Sequence, residues 1–240
     1  MASRKKINFR RAAQILLVAI VVILLIPPAQ VALAILWDPP IVPMRIQRKF
    51  EAWRKGKPMK GVPSRWVALK DIPEGFIHLV WASEDQQFFD HHGFDVPRIR
   101  EAIEEAREGN GEPRGVSTIT MQCARSVFLW QGRSYFRKAL EAYYTVWMEL
   151  LLSKQRILEL YLNHIEFGPG IYGIGAAARE YFDTTPDQLT RSQMVALVAI
   201  LPNPLKWSPV RPNRTVLRKI RRVERLSSRA PFPSRKLQEK

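Results

Sequence analysis

No charged residue occurs between Arg11 and Asp38, and the run that fills the gap, "AAQILLVAIVVILLIPPAQVALAILW" at Ala12–Trp37, is apolar almost throughout. As one helix its 26 residues would span about 39 Å, more than the ~30 Å hydrocarbon core of a bilayer. Arg4, Lys5, Lys6, Arg10 and Arg11 precede it. That flank predicts a cytoplasmic N-terminus and a main body across the membrane. Two readings fit: a retained signal-anchor over residues 12–37, or a cleaved signal peptide ending near the small-x-small pattern "ALA" at Ala32–Ala34. The length of the run favours the anchor. Pro27 and Pro28 predict a kink or an early end to the helix.

The remainder of the chain is long enough for one sizeable domain. The chain has 240 residues, 46% of them apolar, which supports a packed core. A formal net charge of +16 points to polyanions: an anionic membrane face, a phosphorylated substrate or nucleic acid. A body held beside lipid and lacking a nucleic-acid motif disfavours the last. Cys123 is the single cysteine, so neither an internal disulfide nor a cysteine-based zinc site is available.

The organisation then reads as a cytoplasmic tail at residues 1–11, the apolar segment, a Pro- and Lys/Arg-rich linker at 38–65, a catalytic domain at 66–210 and a basic, solvated tail at 211–240. Within the domain "IPEGFIHLVWAS" starts a helix near Pro73, and Glu84 falls at its end. "PRIREAIEEAREG" is an amphipathic helix closed by Gly109, and a Gly/Pro loop leads into "STITMQCARSVFLW". From Ser134 to Phe167 there is neither Gly nor Pro, which gives one long helix or two nearly joined ones. A Gly-rich loop, a small-residue helix and a helix capped by Thr190 and stopped at Pro202 complete a mainly α-helical body.

The stretch "SEDQQFFDHHGFD" at Ser83–Asp95 concentrates the candidate chemistry. His91 and His92 are adjacent and point apart on any regular element, so a metal site is disfavoured. Asp85 and Asp90 suit capping and solvation, and Phe88 and Phe89 suit the core. Glu84 lies between an apolar helix and two phenylalanines. In a partly desolvated cleft its pKa would rise and suit it to accept a proton.

Four motifs carry a resemblance. Glu84, Asp85, Phe88, His91 and Gly93 form E-D-x-x-F-x-x-H-x-G, and "GVSTITMQ" at Gly115–Gln122 forms G-x-S-T-I-x-x-Q. "RKALE" at Arg137–Glu141 and "KQRILELYLN" at Lys154–Asn163 come next, in that order. Together, over about Trp66 to Pro209, they resemble the peptidoglycan glycosyltransferases of glycosyltransferase family 51 in their monofunctional form. The resemblance implies a lysozyme-like, mainly α fold behind one transmembrane helix in a bacterial inner membrane, with the catalytic domain periplasmic. It implies polymerisation of lipid II: the lipid-diphosphate-linked glycan is transferred, with inversion, to a 4-hydroxyl to give a β-1,4 bond. Lipid II, the growing lipid-linked glycan and cell-wall synthesis or division proteins are the implied partners.

Such a reaction asks for a carboxylate to take the hydroxyl proton and cations to stabilise the departing diphosphate. By motif position Glu84 is the base and Glu141 the second carboxylate, its alternative being a solvated helix Glu paired with Lys138. Arg125, Arg133, Arg137 and Lys138 form the candidate diphosphate cradle. Ser117, Thr118 and Gln122 would contact phosphate or sugar, with helix N-capping the alternative for Ser117 and Thr118. Arg125-Ser126 stands where the family often has Lys-Asn, keeping the charge but offering a planar fork. Glu159, Tyr161 and Asn163 are expected in the scaffold and His91 as a loop-fixing hydrogen-bond partner. Phe50, Trp53 and Trp66 suit either the membrane interface or packing. No cofactor is required, although Mg²⁺ or Mn²⁺ could arrive with the diphosphate. The rivals are a lysozyme-like enzyme that cleaves glycan and a non-catalytic, membrane-anchored scaffold for wall synthesis.

Overall fold

The computed structural model describes residues 9–39, 42–56, 61–63, 65–109, 116–132 and 134–238. Helix α1 (Phe9–Leu36) is long and apolar enough to cross a membrane. It runs through Pro27 and Pro28 without the early end expected of them. Pro28 has no N–H for the carbonyl of Leu24, and the hydroxyl of Tyr143 donates to that oxygen instead at 2.9 Å. Tyr143 belongs to α6 (Tyr135–Leu151), against which the last part of α1 packs. Val31 and Ala34 are buried there, and Tyr144 donates to the side chain of Gln30. Arg156 then caps the helix, donating to the carbonyls of Ala34 at 2.9 Å and Trp37 at 3.2 Å and pairing with Asp38. The apolar helix is thus joined to the body by side-chain hydrogen bonds as well as by chain continuity.

The expected linker contains a helix, α2 (Pro43–Arg54). Met44 is buried under it, whereas Ile46, Phe50 and Trp53 are exposed on its other side. Trp66 packs against the core and donates its indole N–H to Glu159 at 3.3 Å.

The core is built around α5 (Ile119–Phe128), buried along most of its length between α6 and α7 (Lys154–His164). The Gly- and Pro-free run divides after Leu151, where Ser153 accepts from the N–H of Arg156 at 3.2 Å and starts α7. α3 (Glu74–Glu84) leads into the motif loop, and Asp95 caps α4 (Val96–Arg107). After α7, β1 (Glu166–Gly168) and β2 (Ile171–Tyr172) form an irregular antiparallel hairpin that pairs Glu166 with Tyr172. α8 (Ile174–Phe182) comes next, and α9 (Arg191–Ile200) begins with the Thr190–Gln193 capping box.

The C-terminal region departs from its reading as a solvated tail. Residues Arg214–Arg229 form α10, capped by Asn213, which packs on α3 and α9. Val216, Val223 and Ser227 are buried on its inner face, and its basic residues occupy the other faces. The chain then returns across α3: Phe232 stacks on His78 and meets Trp81 edge-on, and the short α11 (Ser234–Gln238) brings Lys236 to Asp90.

Candidate active site

Glu84 is the last residue of α3, half-buried at the junction of two cavities of about 680 and 640 Å³. Gln122, on α5, donates to its carboxylate at 3.0 Å. The other end of that amide accepts from the hydroxyl of Tyr161 at 3.0 Å. Three helices therefore converge on one carboxylate, and the Tyr161 hydroxyl fixes which end of Gln122 faces it. Burial pushes the Glu84 carboxyl above its ordinary value; Gln122, Lys219, Arg125 and Arg98 oppose the rise. Burial likewise holds Tyr161 well above its usual phenol range, so it stays a neutral donor.

The neighbouring Asp85 has a different task. It is buried, accepting from the N–H of Ile119 at 2.9 Å and from Nε2 of His91 at 3.0 Å. Nδ1 of His91 accepts from the N–H of Gly93 at 3.0 Å, so the ring fixes the loop. Gly93 has φ +88, and a Cβ there would stand 2.6 Å from the methyl of Thr145. Thr118 closes the same junction, donating to the carbonyl of Gly93 at 2.7 Å and accepting from the N–H of Met121 at 3.2 Å. Thr118 is therefore a buried cap, and its hydroxyl faces the loop, not a cavity. Ser117 does line the Glu84 cavity, with Gln122.

Gln122 and Pro202 are shared with a third cavity of about 430 Å³, lined by Arg48, Arg125, Arg137 and Glu166. Arg137 is aimed by Nε on the carbonyl of Gly132 at 2.7 Å and by Nη1 on Glu141 at 2.6 Å. Lys138 reaches the other oxygen of Glu141 at 2.5 Å. Glu141 itself has no exposed surface and lies outside the cavity walls. It is neither a solvated helix residue nor a group facing the cavities: it is a buried carboxylate that orders two cations. Arg133 lies outside the described residues. Glu159 and Asn163 are scaffold: Asn163 brackets the backbone of Val67 with two hydrogen bonds of 2.9 Å, and Glu159 accepts from the N–H of Leu69 at 3.2 Å.

The Glu84 cavity has further cations that sequence reading left without a role. Arg98 of α4 and Lys219, Arg222 and Arg225 of α10 line it. The signal was present in the spacing of Val216, Ile220 and Val223, which gives α10 an inner face and sets the basic residues around it. Among the described residues no group of three or more His, Cys, Asp or Glu side chains is placed to hold a metal ion.

A half-buried carboxylate, adjoining cavities and cations on both sides of it form the candidate site of a mainly helical protein that also carries a helix long and apolar enough to span a membrane. Residues 55–227 match the Transglycosylase family. The chain is 46% identical over 177 residues to a biosynthetic peptidoglycan transglycosylase of Pseudomonas aeruginosa, covering 73% of this chain and 75% of that one. It is 42% identical over 205 residues to the protein of that name from Pseudomonas entomophila, covering 85% and 86%. For the one from Xanthomonas campestris pv. campestris the identity is 45% over 191 residues, covering 78% and 76%. The chain belongs to the Transglycosylase family, a glycosyltransferase of lysozyme-like, all-α fold.

Proposed function

We propose that the protein polymerises peptidoglycan glycan strands from lipid II, with Glu84 as general base. The observation that carries this reading is the Gln122 junction, which links the cavity of a half-buried carboxylate to one lined by three guanidinium groups. The 4-hydroxyl of an incoming lipid II would lie against Glu84, which takes its proton as the oxygen attacks the anomeric carbon. The lipid diphosphate would leave on the opposite face toward Arg125 and Arg137, so configuration inverts to a β-1,4 linkage. A diphosphate is already a good leaving group, and cations replace the general acid an inverting hydrolase needs. Glu141 acts through Arg137 and Lys138 and is a positioning residue in this scheme. Lys219, Arg222 and Arg225 are suited to the diphosphate of the acceptor. A divalent ion, where one is used, would travel with the substrate. The body is assigned to the periplasmic side of the inner membrane on the charge flanking α1.

The test uses the full-length protein in detergent with labelled lipid II, wild type beside Glu84→Gln. Polymer that a muramidase digests, made by the wild type and lost in the variant, is the expected result. Absence of polymer from folded wild type would overturn the reading in favour of a scaffold. Cleavage of preformed glycan would replace it with the degrading enzyme.

A further inference from the structure

α2 forms part of the cationic cavity, although it lies N-terminal to residues 55–227, the span matched to the Transglycosylase family. Its placement is specific. Gln47 accepts from the N–H of Gln131 at 2.6 Å and donates to the carbonyl of the same residue at 3.2 Å, binding α2 to the loop before α6. Arg45 donates to the carbonyl of Asn163 at 3.2 Å, contacts Nδ1 of His164 at 3.0 Å and lies over the ring of Tyr172 at 4.9 Å. Between these two fastenings Arg48 enters the cavity beside Arg125 and Arg137.

The bonding of Arg48 is incomplete. Its two Nη groups make long contacts, 3.3 Å to Glu166 and 3.4 Å to Glu51. Its Nε is buried without a partner. Buried donors in folded proteins are nearly always paired, so the orphaned Nε shows that the bonding of Arg48 is unfinished at the cavity it lines. Glu166 and Glu51 contact Arg48 and Glu141 holds Arg137, whereas Arg125 has no carboxylate within ion-pair distance among the described residues, so the cavity keeps a guanidinium for an anion. Arg137 is already held at two points, whereas Arg48 has a donor to spare.

We propose that α2 closes the diphosphate site and that Arg48 is a further substrate-contacting residue, its loosely held guanidinium donating to a diphosphate oxygen. This rests on the proposed function and adds a residue to it. Arg48 meets the diphosphate before and after the bond to the sugar breaks, so it acts first on donor affinity.

The experiment measures binding and turnover separately on the full-length protein in detergent. A polyprenyl diphosphate and the matching monophosphate are titrated against wild type, Arg48→Gln, Arg48→Lys and the double variant Arg48→Gln/Glu166→Gln. The KM for lipid II is measured alongside, and thermal unfolding checks that each variant folds. Arg48→Gln is expected to weaken diphosphate binding about 10- to 100-fold and to erase most of the preference over monophosphate, the loss of one or two charge-assisted hydrogen bonds. Arg48→Lys should recover part of the affinity through its charge. The double variant removes the unpaired carboxylate that Arg48→Gln leaves behind, so it should regain thermal stability and stay weak in binding.

Wild-type diphosphate affinity and KM in the folded double variant would make the pair purely structural and overturn the proposal, leaving the polymerase reading intact. Absence of polyprenyl diphosphate binding by wild type would also overturn it. Diphosphate binding that depends on Arg48, in a protein that makes no polymer, would uphold the site and remove the polymerase.

Discussion

At the scale of single residues, the Glu84 carboxylate is held at a cost in stability above the unfolded Glu pKa. Burial raises its pKa, so the folded protein binds this proton more tightly than the unfolded chain does. Between the unfolded value and the raised folded value the native state carries more protons, and stability falls as pH rises through that window. Glu84→Gln should therefore unfold at a higher temperature than wild type at neutral pH, by about 2–4 °C for each ~1 kcal/mol gained. The advantage should vanish below the unfolded Glu pKa. Turnover should fall by at least about 100-fold in the same variant. In wild type, the acid limb of kcat/KM should lie above the ordinary glutamate range, since the base works only once deprotonated. Calorimetry across pH and a pH–rate profile check the two halves, and an acid limb at the ordinary glutamate value would contradict the assignment of base. Gly93 is a second single-residue constraint. Gly93→Ala combines φ +88 with a 2.6 Å approach to Thr145 and should cost about 2–4 kcal/mol in a denaturant titration. Any shift of that backbone would also displace the N–H that His91 accepts from, so activity should fall with stability.

At the scale of elements, the helices that were legible in sequence are those with local punctuation. Thr190 and Pro202 bracket α9, Pro73 starts α3, and Gly109 ends α4 from just beyond its last turn. What was not legible depends on packing between distant segments. Gln122 meets Glu84 from 38 residues away only because α5 and α3 pack as they do, and no local pattern encodes that pairing. Glu141 shares its helix with Arg137 and Lys138, which spacing did reveal, but its complete burial comes from the neighbours of α6. α10 was hidden by its own charge: its basic residues mask an apolar stripe with buried Val216 and Val223. Its inner face is testable. Val223→Asp places a carboxylate among buried apolar groups and should release α10 from α3 and α9. Limited proteolysis should then cut within 214–229 while the rest of the domain persists. Polymerisation should be lost, because Lys219, Arg222 and Arg225 leave the cavity with the helix. A variant that resists proteolysis like wild type would show that α10 contributes little to the fold.

At the scale of the whole molecule, the question is whether the apolar helix only tethers the enzyme or is coupled to it. The bonds from Tyr143 to Leu24, from Tyr144 to Gln30 and from Arg156 to the end of α1 favour coupling. The first can be isolated, because it exists through a missing donor. Pro28 leaves the Leu24 carbonyl without its helical partner, and Tyr143 takes the vacancy. Tyr143→Phe should leave that carbonyl unpaired and destabilise the docked helix. Pro28→Ala restores an N–H four residues on, so in that background Tyr143→Phe should be nearly silent. The cycle should give a coupling energy of about 0.6–1.5 kcal/mol, the range of hydrogen bonds between helices in bilayers. Unfolding in lipid nanodiscs, followed by fluorescence, measures all four corners. Zero coupling would mean that the oxygen finds another donor and that α1 is a passive anchor. A positive value would give Pro28 a role: of the two carbonyls that Pro27 and Pro28 leave without a helical N–H, those of Ile23 and Leu24, the second is the acceptor that Tyr143 uses. The body then fixes the rotation and depth of its anchor through that acceptor, and with them the approach of the cationic cavity to lipid-linked substrate.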